Sequence, residues 1–98
     1  MKTRIQAVHF DVSEHLVAFI EKKLSKLDQF FDGILSAEVT LKVVKPEVAH
    51  NKEVNIRVKV PNTELLFSEK ICDSFEEAVD VCVDAISKQL HKLKEKTR

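Results

Sequence analysis

The chain has 98 residues, of which 44% are hydrophobic and 33% charged, with 16 Lys and Arg against 16 Asp and Glu and a formal net charge of zero. One domain over residues 1–98 with one core is expected at this length, and the composition is globular rather than disordered. No run approaches the roughly 18 apolar residues of a membrane span, no secretory leader follows Met1, two cysteines make no disulfide framework, and neutrality excludes coating nucleic acid by bulk charge, so a cytoplasmic protein is expected.

Residues 2–10 read as a strand, with Ile5 and Ala7 on one face and Arg4 and Gln6 on the other. Ser13 is the N-cap expected for a helix from about Glu14 to Asp28, whose apolar stripe is Leu16, Phe19, Ile20, Leu24 and Leu27. Asp32-Gly33 closes that region. Two alternating strands follow, Ala37/Val39/Leu41/Val43 and Val54/Ile56/Val58/Val60. They are joined by a polar segment, Lys45–Lys52, in which Pro46 interrupts strand pairing. Pro61-Asn62 signals a turn, and residues 64–71 form a weaker strand around Leu65 and Phe67. Asp73-Ser74-Phe75-Glu76 reads as a capping box opening a helix to about Lys94, with Phe75, Val79, Cys82, Ile86, Leu90 and Leu93 inward. The expected fold is α+β in the order β-α-β-β-β-α. Two helices would pack on one face of a four-stranded sheet and the other face would be wet. This order is close to that of a double-stranded-RNA-binding domain, an analogy of fold alone.

Charge is sorted on both helices. His15, Lys22, Lys23 and Lys26 fall on one side of the first apolar stripe, and Glu14, Glu21 and Asp28 on the other. Residues 69–84 hold six carboxylates and one lysine, whereas residues 88–98 hold Lys88, Lys92, Lys94, Lys96 and Arg98 against Glu95. Lys88, Lys92 and Lys96 share a face, with His91 nearby. Two readings stand. Acid at a helix start and base at its end suit the macrodipole. Alternatively, two lysine stripes on adjacent helices bracket a nucleic-acid backbone, the affinity coming from counterion release. The wet sheet face adds Arg4, Lys42, Arg57 and Lys59, diluted by Glu38 and Glu53, and lacks the Tyr or Trp of a stacking platform.

Signals of catalysis and metal binding are poor. A chain with one Gly has no phosphate loop. Cys72 and Cys82 lack C-x-x-C spacing, and His9, His15, His50 and His91 are scattered, so no metal site, cofactor or catalytic residue is expected. Cys82 reads as a packed thiol. Cys72 precedes a helix N-terminus, where a thiolate is favoured, but it has no basic neighbour on its helix, so no reactive role is expected. The acidic run of the second helix reads as a solvated face, and Phe10, Phe19, Phe30, Phe31, Phe67 and Phe75 read mostly as core, with Phe30-Phe31 able to straddle a surface.

Across the whole chain these residues resemble the short ribosome hibernation promoting factors, relatives of the ribosome-associated inhibitor also called sigma-54 modulation proteins. The likeness is carried by the opening strand ending in His9, by Lys23-Leu24-Ser25-Lys26-Leu27-Asp28, and by Phe31-Asp32. In the second helix it is carried by Ala78-Val79-Asp80, by Asp84, and by the run Lys88-Gln89-Leu90-His91-Lys92-Leu93-Lys94-Glu95-Lys96. The resemblance implies the β-α-β-β-β-α fold and a non-enzymatic factor that blocks translation in idle ribosomes. It implies binding to the small ribosomal subunit, its RNA and proteins, in the channel where messenger and transfer RNA sit. By position, Lys23, Lys26, Lys88, Lys92, Lys94 and Lys96 match the family's basic positions, and the helical stripes add Lys22 and His91.

Two departures bear on local contacts. Pro61-Asn62 stands where relatives often carry Gly, and Ser74-Phe75-Glu76-Glu77 is more acidic than the pattern. Long members carry a C-terminal domain that pairs ribosomes; none is expected here, and a monomer is expected when free, with no membrane and no small-molecule substrate. The alternative is a non-catalytic protein-interaction module using the polar sheet face or the acidic helix start.

Overall fold

A computed structural model of the chain describes residues 2–44, 51–61 and 65–96, with Lys96 in backbone only. Pro46, His50, Asn62, Arg98 and the side chain of Lys96 therefore lie outside the described residues. The elements are β1 (Lys2–Val8), α1 (Glu14–Phe30), β2 (Ser36–Val43), β3 (Lys52–Lys59), β4 (Leu66–Cys72) and α2 (Phe75–Lys96). This is the α+β order expected. The four strands form one sheet in the order β1-β2-β3-β4. β1 and β2 run parallel, which requires a crossover, and α1 supplies it. β2, β3 and β4 pair antiparallel.

The registers place Ile5, Val39, Ile56 and Ser68 in one row and Ala7, Leu41, Val54 and Lys70 in the next, all on one face. On that face Ala37, Val39, Leu41, Val54, Ile56 and Val58 are essentially inaccessible and pack with Ile20, Leu24 and Leu27 of α1 and Val79, Cys82, Ile86 and Leu90 of α2. Each such Val, Leu or Ile contributes about 1.5–3 kcal/mol on burial. Both helices therefore lie on one side of the sheet. The likeness to a double-stranded-RNA-binding domain is one of element order.

Local signals placed the helices with one adjustment. Ser13 Oγ accepts from the Leu16 N–H at 3.1 Å, capping α1 as expected. At α2 the cap is Ser74 rather than Asp73: its hydroxyl accepts from the Glu77 N–H at 3.2 Å. The capping box thus sits one residue later than the sequence suggested, because the side chain that reaches the third helical amide is the serine. The expectation for β4 also changes. Val58 pairs with Leu66 and Arg57 with Phe67, so Leu66 and Cys72 face the core, while Phe67 and Ile71 point to the outer face. Phe67 is 43% exposed and Leu65 52%, against the reading of Phe67 as core. The other five phenylalanines pack at the core margin, and the rings of Phe10 and Phe75 stack at 5.2 Å, tying the β1–α1 turn to the start of α2.

His9, just after β1, has φ 62° and is the described non-glycine residue in the left-handed region. A β-branched side chain is strained there, whereas glycine is not. We expect His9→Val to lower the melting temperature by an amount equivalent to about 1–3 kcal/mol, and His9→Gly to leave it nearly unchanged. Thermal denaturation of both variants checks this.

Glu53 lies on the outer face beside Glu69. Burial raises its carboxyl above the ordinary value of 4.5, and a hydrogen bond and charge repulsion from Glu69 raise it further, opposed by Lys42 and Asn55. A folded pKa above the unfolded one means that Glu53 contributes stability below the unfolded pKa and loses it as pH rises through the folded pKa. We expect Glu53→Gln to melt higher than the parent at pH 7, with the gap closing below about pH 4. Melts across pH 3.5–8 are the measurement.

Candidate nucleic-acid interface

The lysines and the histidine singled out on the two helices lie on the helical layer, opposite the outer sheet face that carries Arg4, Lys42, Arg57 and Lys59. Helix geometry distributes them over three places. Lys23 and Lys26 of α1 line a shallow cleft of about 220 Å³ between the helices, whose other wall is Asp80, Val83, Asp84 and Ser87 of α2. Lys22 stands beside it on the exposed side of α1. Lys88 and Lys92 occupy the outer ridge of α2, turned toward β4; neighbouring Gln89 donates from Nε2 to the Phe67 carbonyl of β4 at 3.1 Å. His91 and Lys94 sit on the opposite flank of α2 against the end of α1.

The two lysine stripes therefore do not bracket an all-cationic channel. Lys23 Nζ pairs with Asp80 at 2.8 Å, with the lysine side chain only 24% exposed, and lies 5.5 Å from the Phe19 ring centroid. Lys88 Nζ pairs with Asp84 at 3.2 Å, both side chains well exposed. The acidic face of α2, expected to be solvated, thus answers lysines of the patch. Lys22, Lys26 and Lys92 make no ion pair among the described residues. Lys94 donates to the Phe30 carbonyl at 3.1 Å and lies 4.8 Å from the Phe30 ring, satisfying a carbonyl at the end of α1. His91 stacks on Phe30 with centroids 5.7 Å apart and 15° between the planes, and its Nε2 lies 3.5 Å from Glu95 Oε1.

Sequence reasoning missed four features. The Asp84–Lys88 pair was legible as an i,i+4 spacing. The Asp80–Lys23 pair and the Phe30–His91 stack join different helices, so no local signal carried them. The fourth is on the outer face, where Arg57 lies 5.9 Å from the Phe67 ring centroid. That face also carries Glu38, Glu53 and Glu69 opposite Arg4, Lys42 and Asn55.

The cysteines are both free and buried. Burial pushes the Cys72 thiol up, and the Glu77 and Asp73 carboxylates add to this, against Lys70. A Cys72 thiolate is therefore disfavoured despite the helix N-terminus beside it. Burial likewise raises the Cys82 thiol, which lies 3.6 Å from the Val54 carbonyl. Among the described residues no group of His, Cys, Asp and Glu is placed to hold a metal ion, and no helix is long and apolar enough to cross a membrane.

An array of exposed ammonium groups on two rigid helices can hold phosphates. The carboxylates Asp80 and Asp84 compete for those groups. We expect Asp84→Asn to tighten binding to any polyanion by about two- to fivefold at low salt, converging with the parent as salt screens the pair. Titration with a fluorescein-labelled RNA at two ionic strengths measures this.

The family described as sigma 54 modulation protein / S30EA ribosomal protein matches residues 3–98. The ribosome hibernation promoting factor of Escherichia coli K12 is 32% identical over 98 residues, which are 100% of this chain and 98% of that protein. The factor of the same name from Pseudomonas putida is 28% identical over 96 residues, 98% of this chain and 89% of that one. Among solved structures, a ribosomal subunit interface protein from Coxiella burnetii superposes with a TM-score of 0.85 at 24% identity, covering 97% of this chain and 99% of that one. That last likeness is one of fold.

Proposed function

Because the chain belongs to the sigma 54 modulation protein / S30EA ribosomal protein family, we propose that it is a bacterial ribosome hibernation factor acting in the cytoplasm as a single ribosome-binding domain. It binds the small ribosomal subunit in the channel of messenger and transfer RNA and blocks translation in idle ribosomes. The observation that carries this reading is a full-length match to a ribosome hibernation promoting factor together with exposed lysines on both helices. The mechanism is steric: the domain fills space that RNA would occupy, and no bond is made or broken. Lys22, Lys26 and Lys92 offer their ammonium groups directly to phosphates. Lys23 and Lys88 do so by exchanging Asp80 and Asp84 for an RNA oxygen. Lys94, Lys96 and His91 extend the surface along α2. Phosphate contacts position a protein without reading sequence, so recognition rests on the shape of the folded RNA.

A second reading, a protein-interaction module, is favoured by one observation. Leu65, Phe67 and Ile71 are exposed at the β4 margin, on or beside the outer sheet face. That face would hold a protein partner through apolar contact, and its binding would survive moderate salt and not need the lysines.

Co-sedimentation with purified small subunits separates the two. Saturable co-migration, competed by transfer RNA, is expected, and neutralising about five phosphates gives log K falling with log salt at a slope of roughly −4. Replacing Lys88, Lys92 and Lys96 together by Glu should abolish co-migration while the circular dichroism spectrum stays that of the parent. Undiminished binding by that folded variant would refute the cationic-patch mechanism.

A further inference from the structure

We propose that the Phe30–His91 ring pair is a stacking seat for one unpaired RNA base, a proposal that rests on the RNA-binding reading above. His91 had been counted as part of the charge pattern. Its geometry is that of a flat platform. The imidazole lies nearly parallel to the Phe30 ring, 15° between planes, with centroids 5.7 Å apart. The His91 side chain is nevertheless 63% exposed, so most of the ring is open to solvent. Glu95 approaches His91 at Nε2, an atom on the ring edge, 3.5 Å away.

The support beneath the ring is fixed as well. Phe30 is the last residue of α1, and Lys94 holds it twice, by the hydrogen bond to its carbonyl and by its ammonium 4.8 Å from the ring centroid. Phe30 also packs against the buried core. The stack therefore bridges α1 and α2 at the end of the cleft lined by Lys23 and Lys26. An exposed ring held flat among cations is the arrangement on which unpaired bases of RNA stack, since every base has a π-face and its own phosphate lies within reach of a neighbouring ammonium. Of the phenylalanines elsewhere on the helical layer, Phe10 and Phe75 stack on each other, and Lys23 lies over Phe19.

The test separates stacking from charge. Affinity for small ribosomal subunits is measured for the parent and for His91→Ala, His91→Phe and His91→Lys, each first shown to melt like the parent. A stacking seat predicts His91→Phe within about twofold of the parent and His91→Ala weaker by about tenfold, with an unchanged salt slope and no rescue by His91→Lys. Parental affinity of His91→Ala, or rescue by Lys and not by Phe, overturns it.

A parent that fails to bind subunits at all counts against the hibernation reading. The stack is then judged separately. The chain has no Trp or Tyr, so His91→Trp carries its sole indole. Titration with single-stranded oligoadenylate at low salt should quench that emission, and inorganic polyphosphate, which has no bases, should not. Unchanged emission at saturating oligoadenylate overturns the stacking seat whatever the ribosome does.

Discussion

Side chains on a strand alternate between two faces, and in the centre of β2 and β3 that alternation separates apolar from polar residues completely. Ala37, Val39, Leu41, Val54, Ile56 and Val58 turn one way, and Glu38, Thr40, Asn55 and Arg57 the other. A one-residue slip in register would reverse every one of them, so the pairing is strongly specified. The consequence reaches the functional surface. With a single dry face, both helices must cover it side by side, and each must turn its stripe of Leu, Ile and Val downward. The flank of α1 that carries Lys23 and Lys26 then meets the flank of α2 that carries Asp80 and Asp84. The cleft and its mixed charge are thus by-products of burying the sheet.

The ion pairs in that cleft are not what holds the helices together. Exposed pairs contribute about 0–1 kcal/mol, small against the apolar contacts beneath them. Their weight lies in the bound state. An ammonium already resting on a carboxylate gives up little when it moves to a phosphate, and the carboxylate returns to water. Asp80 and Asp84 also cancel much of the field that would otherwise draw in any polyanion. A chain of zero net charge whose helix lysines stand among carboxylates has weak long-range attraction for nucleic acid and stronger attraction at contact distance.

Much of this was legible in the sequence because it is written in periods. The order of elements, the inward residues of β1, β2 and β3, the Ser13 cap and the stripes of both helices follow from spacings of 2 and 3.6, which are properties of the local chain. The misreadings share a cause. In β4, Leu65, Leu66 and Phe67 are three successive apolar residues, and alternation cannot say which parity faces inward. Only pairing of Leu66 with Val58 decides it. At Asp73-Ser74 two good caps are adjacent, and the choice depends on where the chain leaves β4. At the interface, the identities of the lysines were readable but their partners were not, since Lys23 and Asp80 are 57 positions apart in the chain.

The rigidity of the base also bears on how a surface of lysines can be selective. Lysine is a mobile point charge, and phosphates are present on every RNA, so pairwise contacts alone would accept any strand. Selectivity must then come from spacing. Here the roots of the cationic residues are fixed by side chains directly beneath them: Leu24 and Leu27 under Lys23 and Lys26, Ile86 and Leu90 under Lys88 and Lys92, all essentially inaccessible and packed on the same sheet. The distance between the α1 ridge and the α2 ridge cannot change without opening the core. An RNA whose phosphates match that spacing engages both ridges at once, and one that matches only one ridge forfeits roughly half of the released counterions. Under this reading, recognition of a folded RNA by shape is a direct consequence of the packing that forms the fold.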